Sequence, residues 1–124
     1  YKLSEWRNEN LPSFSAIKAK EVIPKNIITK EPTAELKEDQ KDSDSLPPYD
    51  VLDKILYLLV EKESSINEII SKGYEPSLVT KVQNLLYNSE YKRRQAAPGV
   101  KISVRNFGYD RRYPITNAFR DKEK

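Results

Sequence analysis

Apolar residues recur with helical spacing only in the middle of this 124-residue chain. Val51, Leu52, Ile55, Leu56 and Leu59 follow the i, i+1, i+4, i+5, i+8 pattern of one helix face, with Asp50 placed to act as N-cap. Ser65-Ile66-Asn67-Glu68 fits a capping box, in which the serine and glutamate side chains each bond the other's backbone amide. Ile66, Ile69 and Ile70 share the face of the short helix that this box opens, and Gly73 suits the C′ position beyond its end. A third helix opens at Pro76, a residue tolerated in a first turn, and carries Leu78, Val79, Val82, Leu85 and Leu86. These apolar side chains read as core.

On either side the pattern fades. Residues 1–10 read as the end of a helix, with Leu3 and Trp6 three apart and Leu11-Pro12 as its stop. Residues 11–48 have little periodicity; Ile23, Ile27 and Ile28 predict a short extended segment bounded by Pro24 and Pro32. Residues 35–45 are polar with one apolar residue, which cannot pack a core, so a mobile or ligand-ordered loop is expected. From residue 91 onward, Val100, Ile102 and Val104 alternate with Lys101, Ser103 and Arg105, the pattern of a short strand. The chain therefore reads as one incomplete domain over 1–124, in four parts: 1–10, a loop region 11–48, a helical part 49–90, and a tail 91–124. The fold class is mainly α with long loops.

Composition narrows the chemistry. Hydrophobic residues make up 37% of the chain with its eight tyrosines included. Exchanging these for the three glycines, to match the usual definition, leaves about a third, against roughly 45–50% in ordinary domains. The core must be thin, or completed from outside. Cysteine and histidine are absent, which removes disulfides, thiolate nucleophiles, and the commonest metal ligand and general base. Methionine is absent as well and the chain starts at Tyr1, so a piece of a longer protein is expected. No apolar run approaches the roughly 20 residues that span a bilayer, and residues 1–10 do not form a signal peptide. The expectation is a soluble, cytoplasmic protein. No internal repeat, Gly-rich phosphate loop, paired-carboxylate site or metal cluster stands out.

Charge is divided. The total is +3, yet residues 1–90 carry net −4 and residues 91–124 carry net +7, with ten basic against three acidic side chains. In that tail Tyr91, Phe107, Tyr109, Tyr113 and Phe119 are interleaved with the cations. Such a stretch points to a polyanionic partner: a nucleotide phosphate, a nucleic acid, or an acidic surface on another subunit. A solvated basic terminus is the alternative, and aromatics beside arginines also occur in ordinary packing.

Four blocks are more specific: Lys-Glu-Pro-Thr-Ala-Glu-Leu at 30–36, Ser-Leu-Pro-Pro-Tyr-Asp-Val-Leu-Asp at 45–53, Glu-Tyr-Lys-Arg-Arg-Gln-Ala-Ala-Pro-Gly at 90–99, and Phe-Gly-Tyr-Asp-Arg-Arg-Tyr-Pro-Ile-Thr-Asn at 107–117. In this order they resemble the C-terminal end of the glutamine-dependent NAD synthetase family, and Trp6-Arg7-Asn8 resembles the helix before that region. The resemblance implies an ATP- and Mg2+-dependent ligase that adenylates the nicotinate carboxylate of deamido-NAD and lets ammonia displace AMP. It implies a Rossmann-like α/β domain of the ATP-pyrophosphatase type, working as a dimer within larger oligomers. A nitrilase-like glutaminase domain supplies the ammonia in this family. The family's Ser-Gly-Gly-x-Asp-Ser pyrophosphate loop has no counterpart in this chain. Residues 1–124 are thus expected to close an active site whose sheet and metal ligands lie upstream, and to be inactive alone.

Site residues follow from the same blocks. Thr33 matches a position whose hydroxyl contacts ATP in the family, with a turn-capping threonine as the alternative, and Glu35 is implied to help orient that site. Residues 36–45 match a loop that orders over the nucleotide; Asp42 and Asp44 within it approach magnesium or ribose, or form a solvated acidic run. Tyr91 and Lys92 match a pair that binds deamido-NAD: lysine brings a point charge to phosphate or carboxylate and tyrosine a stacking face. Arg93 and Arg94 are implied either as bidentate phosphate ligands or as partners of acidic residues in the rest of the enzyme. A small nucleic-acid-binding module and a purely structural subunit-contact piece are the competing readings. No membrane partner is expected, and nucleotide is favoured over nucleic acid.

Overall fold

The computed structural model describes residues 1–30, 41 and 46–122, and these divide into two compact units, Tyr1–Ser45 and Leu46–Lys124. Among the described residues every regular element is a helix and there are no strands.

In the first unit, α1 spans Lys2–Glu9 and α2 spans Lys25–Thr29, and neither buries a side chain. Polar stitching takes the place of a core. The Arg7 guanidinium donates to the carbonyls of Asn10, Ile17, Ala19 and Lys20, at 3.0–3.4 Å. Asn8 works at both ends of its amide: Nδ2 donates to the Ile23 carbonyl at 2.8 Å, while Oδ1 accepts from the amides of Val22 and Ile23. The extended segment expected around Ile27 and Ile28 is instead α2. Pro24, at φ −58°, sets its start, and its carbonyl accepts from the amides of Ile27 and Ile28.

The second unit holds the core. Helix α3 (Tyr49–Val60), α4 (Ile66–Ile70) and α5 (Pro76–Asn88) turn Ile55, Leu59, Val60, Ile66, Ile69, Val79, Val82 and Leu86 toward one another. Seven of the eight are positions that the periodicity marks, because each face is fixed by the 3.6-residue repeat, and Val60, the last residue of α3, is the one it does not mark. The capping box at Ser65 is formed: the Glu68 amide donates to Ser65 Oγ at 3.3 Å, and the Ser65 amide donates to Glu68 Oε2 at 2.7 Å. Pro76 opens α5 as expected, and the Glu75 carboxylate caps it by accepting from the amides of Ser77 and Leu78.

Three local expectations in the second unit also fail. Asp50 is not the cap of α3; the helix begins at Tyr49 behind Pro48, whose carbonyl takes the amides of Val51 and Leu52, and Asp50 lies in the first turn, where its charge favours the dipole. Gly73 adopts the left-handed conformation, φ +94°, but one residue later than C′, because Ser71 and Lys72 carry the helix into a further tight turn. Residues 100–104 form no strand. Val100, Ile102 and Val104 are 84%, 88% and 82% exposed, and alternation alone cannot hold a strand without a neighbour to pair with.

The basic part does not begin as an irregular tail either. Glu90–Gln95 is a sixth helix, α6, following α5 across Ser89. It lacks an apolar stripe, so periodicity does not reveal it; the spacing of Glu90 to Arg93 and Arg94 is the trace it leaves in sequence.

Candidate functional site

Helix α6 sorts its residues by direction. Positions 90, 93 and 94 share one face, since neighbours three and four apart lie together, and positions 91 and 92 point elsewhere. Glu90 is 2% exposed. Its carboxylate pairs with Arg93 at 2.7 Å and Arg94 at 3.6 Å. Arg93 also donates to the Leu86 carbonyl at 2.6 Å, tying α6 to α5, and its guanidinium lies 5.1 Å from the Phe107 ring centre. Arg94 donates to the Tyr113 carbonyl at 3.0 Å. Burial by itself would raise the Glu90 pKa, but hydrogen bonds from Arg93 and the Tyr113 backbone, with the charge of Arg93, hold it below the usual carboxylate value. Glu90 is therefore an anion at neutral pH.

Lys92 and Tyr91 are exposed, with the ammonium 6.0 Å from the centre of the tyrosine ring. Among the described residues Lys92 makes no ion pair. Beside this helix runs a cleft of ≈ 550 Å³ lined by Arg93, Arg94, Gly99, Phe107, Tyr109 and Arg112 among others. Its floor is shaped by the turn at 106–110. There Asn106 Oδ1 accepts from the amides of Gly108 and Tyr109, and Asp110 accepts from the Asn106 amide and pairs with Lys101 at 2.7 Å. Arg112 stacks over Tyr109, 5.4 Å from the ring centre. Cations outnumber anions in the cleft wall, and its two carboxylate neighbours are already paired, which suits an anionic, flat ligand.

The rest of the C-terminal segment is tied back onto the helices. Arg120 donates to Asn84 Oδ1 at 3.0 Å and Asn88 Oδ1 at 2.8 Å on α5, and Asp121 Oδ2 accepts from the Ile66 amide at 2.9 Å. Arg105 pairs with Glu63 at 2.8 Å, and its amide donates to Glu61.

Of the residues expected in the site, Tyr91, Lys92 and Arg93 lie together on α6, with Arg93 turned inward. Arg94, expected as a ligand or as a partner for acidic groups elsewhere, finds its acidic partner within the chain. Thr33, Glu35, Asp42, Asp44 and nearly all of the 36–45 loop lie outside the described residues. No group of carboxylates able to hold a metal occurs among the described residues, and Glu90 and Asp110 are committed to Arg93, Arg94 and Lys101. The residues at this cleft do not fit a magnesium site. No helix of the described residues is long and apolar enough to cross a membrane. Glu90 and Tyr113 escape a reading based on ligand chemistry. A carboxylate three and four residues ahead of two arginines is the clue for Glu90; nothing in the sequence marks Tyr113.

Comparisons agree on one family. The NAD synthase profile matches residues 1–96. The chain is 46% identical over 122 residues to the glutamine-dependent NAD(+) synthetase of Rhodobacter capsulatus, covering 98% of this chain and 22% of that protein. It is 56% identical over 98 residues to the enzyme of the same name from a Synechocystis species, covering 79% of this chain and 18% of that one. The solved structure of a glutamine-dependent NAD+ synthetase from Acinetobacter baumannii in complex with ADP superimposes with a TM-score of 0.61 at 38% identity, over 98% of this chain and 19% of that one. The chain spans about a fifth of the length of the relatives it matches.

Proposed function

Because the chain belongs to the NAD synthase family, we propose that it serves as part of a glutamine-dependent NAD synthetase, the ligase that converts deamido-NAD to NAD with ATP. The observation that carries this reading is the match along 98% of the chain to proteins of that name. In this proposal the nicotinate carboxylate is adenylated, pyrophosphate leaves, and ammonia then displaces AMP. The Rossmann-like sheet of the ATP-pyrophosphatase type and the carboxylates for Mg2+ belong to the remainder of the enzyme, and a glutaminase domain supplies the ammonia. The working unit is a dimer within a larger oligomer, in the cytoplasm.

No residue of this chain acts as acid, base or nucleophile in the proposal. Its contribution is binding. Lys92 brings an ammonium to the carboxylate or phosphates of deamido-NAD, Tyr91 offers a half-exposed ring face, and Arg93 contributes from the cleft wall. Thr33 and Glu35 contact and orient ATP. The chain by itself is inactive in this reading, since ATP activation is left to the remainder.

The test is Lys92→Ala in the full-length enzyme. A charge-assisted hydrogen bond contributes roughly 1.5–3 kcal/mol, so KM for deamido-NAD should rise about ten- to a hundredfold, with ATP affinity and thermal stability nearly unchanged. An unaltered KM would remove Lys92 from the site.

A further inference from the structure

We infer that Glu90 is a positioning residue for deamido-NAD use: held by Arg93, Arg94 and the tail segment through Tyr113, it fixes the direction in which α6 presents Tyr91 and Lys92. The inference rests on the proposed binding role of that pair. Helix α6 has six residues and no apolar face, and a helix so short is not stable on its own. What holds it is polar. The Glu90 side chain is 3% exposed, bridges to Arg93 at 2.7 Å and lies 3.6 Å from Arg94. Arg93 carries the tie to Leu86 of α5, and Arg94 the tie to the Tyr113 carbonyl. One carboxylate thus joins three pieces of backbone: α5, α6 and the segment through Tyr113.

Residues 91 and 92 stand on the remaining faces of the same two turns, so a rotation of α6 about its axis moves Lys92 directly. Glu90 itself is buried and is not among the residues that line the cleft. Its effect passes through the groups it holds in place: Lys92 and Tyr91 on the other faces of α6, and Arg93 in the cleft wall. This also explains why a buried anion sits in the most basic part of the chain: it gathers two arginines of α6 into a frame, while the helix's lysine makes no ion pair among the described residues.

The experiment is a double-mutant cycle in the full-length enzyme, with Glu90→Gln, Lys92→Ala and the double variant, reading KM for deamido-NAD and for ATP together with melting temperature. Misplacing a binding group costs rate steeply, so Glu90→Gln should raise KM for deamido-NAD by about tenfold and leave KM for ATP within about twofold. Added to Lys92→Ala, it should cause a clearly smaller rise than it causes alone, because both act largely through the Lys92 contact. Should Glu90→Gln fold poorly, Arg94→Gln, which cuts the more exposed arm of the frame, should move the same KM in the same direction by a smaller factor. A lower melting temperature with both KM values unchanged would overturn the inference and leave Glu90 as a stability element. Additive effects in the double variant would also overturn it. A flat response to Lys92→Ala with a rise for Glu90→Gln would instead overturn the binding role of Lys92.

Discussion

The ring of Tyr87, partly buried on α5, lies on the ring of Tyr113 with centroids 4.2 Å apart and planes 10° from parallel. The guanidinium groups of Arg111 and Arg120 lie 5.5 Å and 5.2 Å from the centre of the Tyr87 ring. Two tyrosines and two arginines thus join the basic C-terminal segment to the helical core. Partial burial, and then the Tyr87 neighbour, raise the Tyr113 pKa above its ordinary value, so the Tyr113 hydroxyl stays protonated at physiological pH.

Replacing Tyr113 by leucine should loosen that join. An aromatic pair contributes about 0.5–1.5 kcal/mol beyond burial. The variant should lose about 1 kcal/mol of stability, and amide exchange should speed up in residues 105–122 while the amides of α3 and α5 keep their protection. Unchanged exchange in 105–122 would mean that the Arg120 and Asp121 ties suffice without the stack.

Asp121 accepts the first amide of α4 from a point 55 residues further along the chain. Asp121→Ala should cost about 1 kcal/mol, as loss of a helix-terminal acceptor usually does. Asp121→Asn keeps an acceptor and gives up only the charge, so it should recover most of that loss. Equal melting temperatures for Asp121→Ala and the parent chain would show that this bond is not made in solution.

Acid should weaken the second unit. The carboxyl groups of Glu68, Glu75, Glu90 and Asp110 are all held below their ordinary values. The leading causes are the Ser65 amide at Glu68, the Ser77 hydroxyl at Glu75, Arg93 against burial at Glu90, and the Asn106 amide at Asp110. A carboxylate depressed by folding stabilises the fold above its unfolded pKa, and the contribution disappears as pH falls through the folded value. Urea midpoints should therefore be flat above pH 4.5, the ordinary glutamate value, and fall below it. Glu90→Gln should flatten part of that fall. A midpoint that rises on acidification would contradict the Glu90 frame.

Gly73 is the one described glycine with positive φ, at +94°, and a Cβ placed there meets no atom within 4 Å. Gly73→Ala thus isolates backbone strain from crowding. The left-handed conformation costs a non-glycine residue about 1–2 kcal/mol, and thermal unfolding should report a loss of that size. No loss would mean that the turn after α4 relaxes to another conformation.

By itself the sequence determined what depends on near neighbours. The faces of α3, α4 and α5, the Ser65–Glu68 box and the proline start of α5 are interactions across three or four residues, so spacing reveals them. The blocks that resemble NAD synthetase are likewise contiguous strings, and the proposed binding role of Tyr91 and Lys92 comes from them. Tertiary structure decided the rest. The alternation of Val100, Ile102 and Val104 is a strand only if another strand pairs with it, and the fold supplies none among the described residues. Asp121 caps a helix begun at Ile66, and Arg120 grips Asn84 and Asn88, across separations that no local pattern encodes. The division of labour on α6 is of this kind too. Lys92 and Arg93 are adjacent cations in the sequence. The packing of α5 and Tyr113 against one face of the helix turns Arg93 inward to Glu90 and leaves Lys92 outside, because a buried carboxylate demands a partner and an exposed ammonium does not.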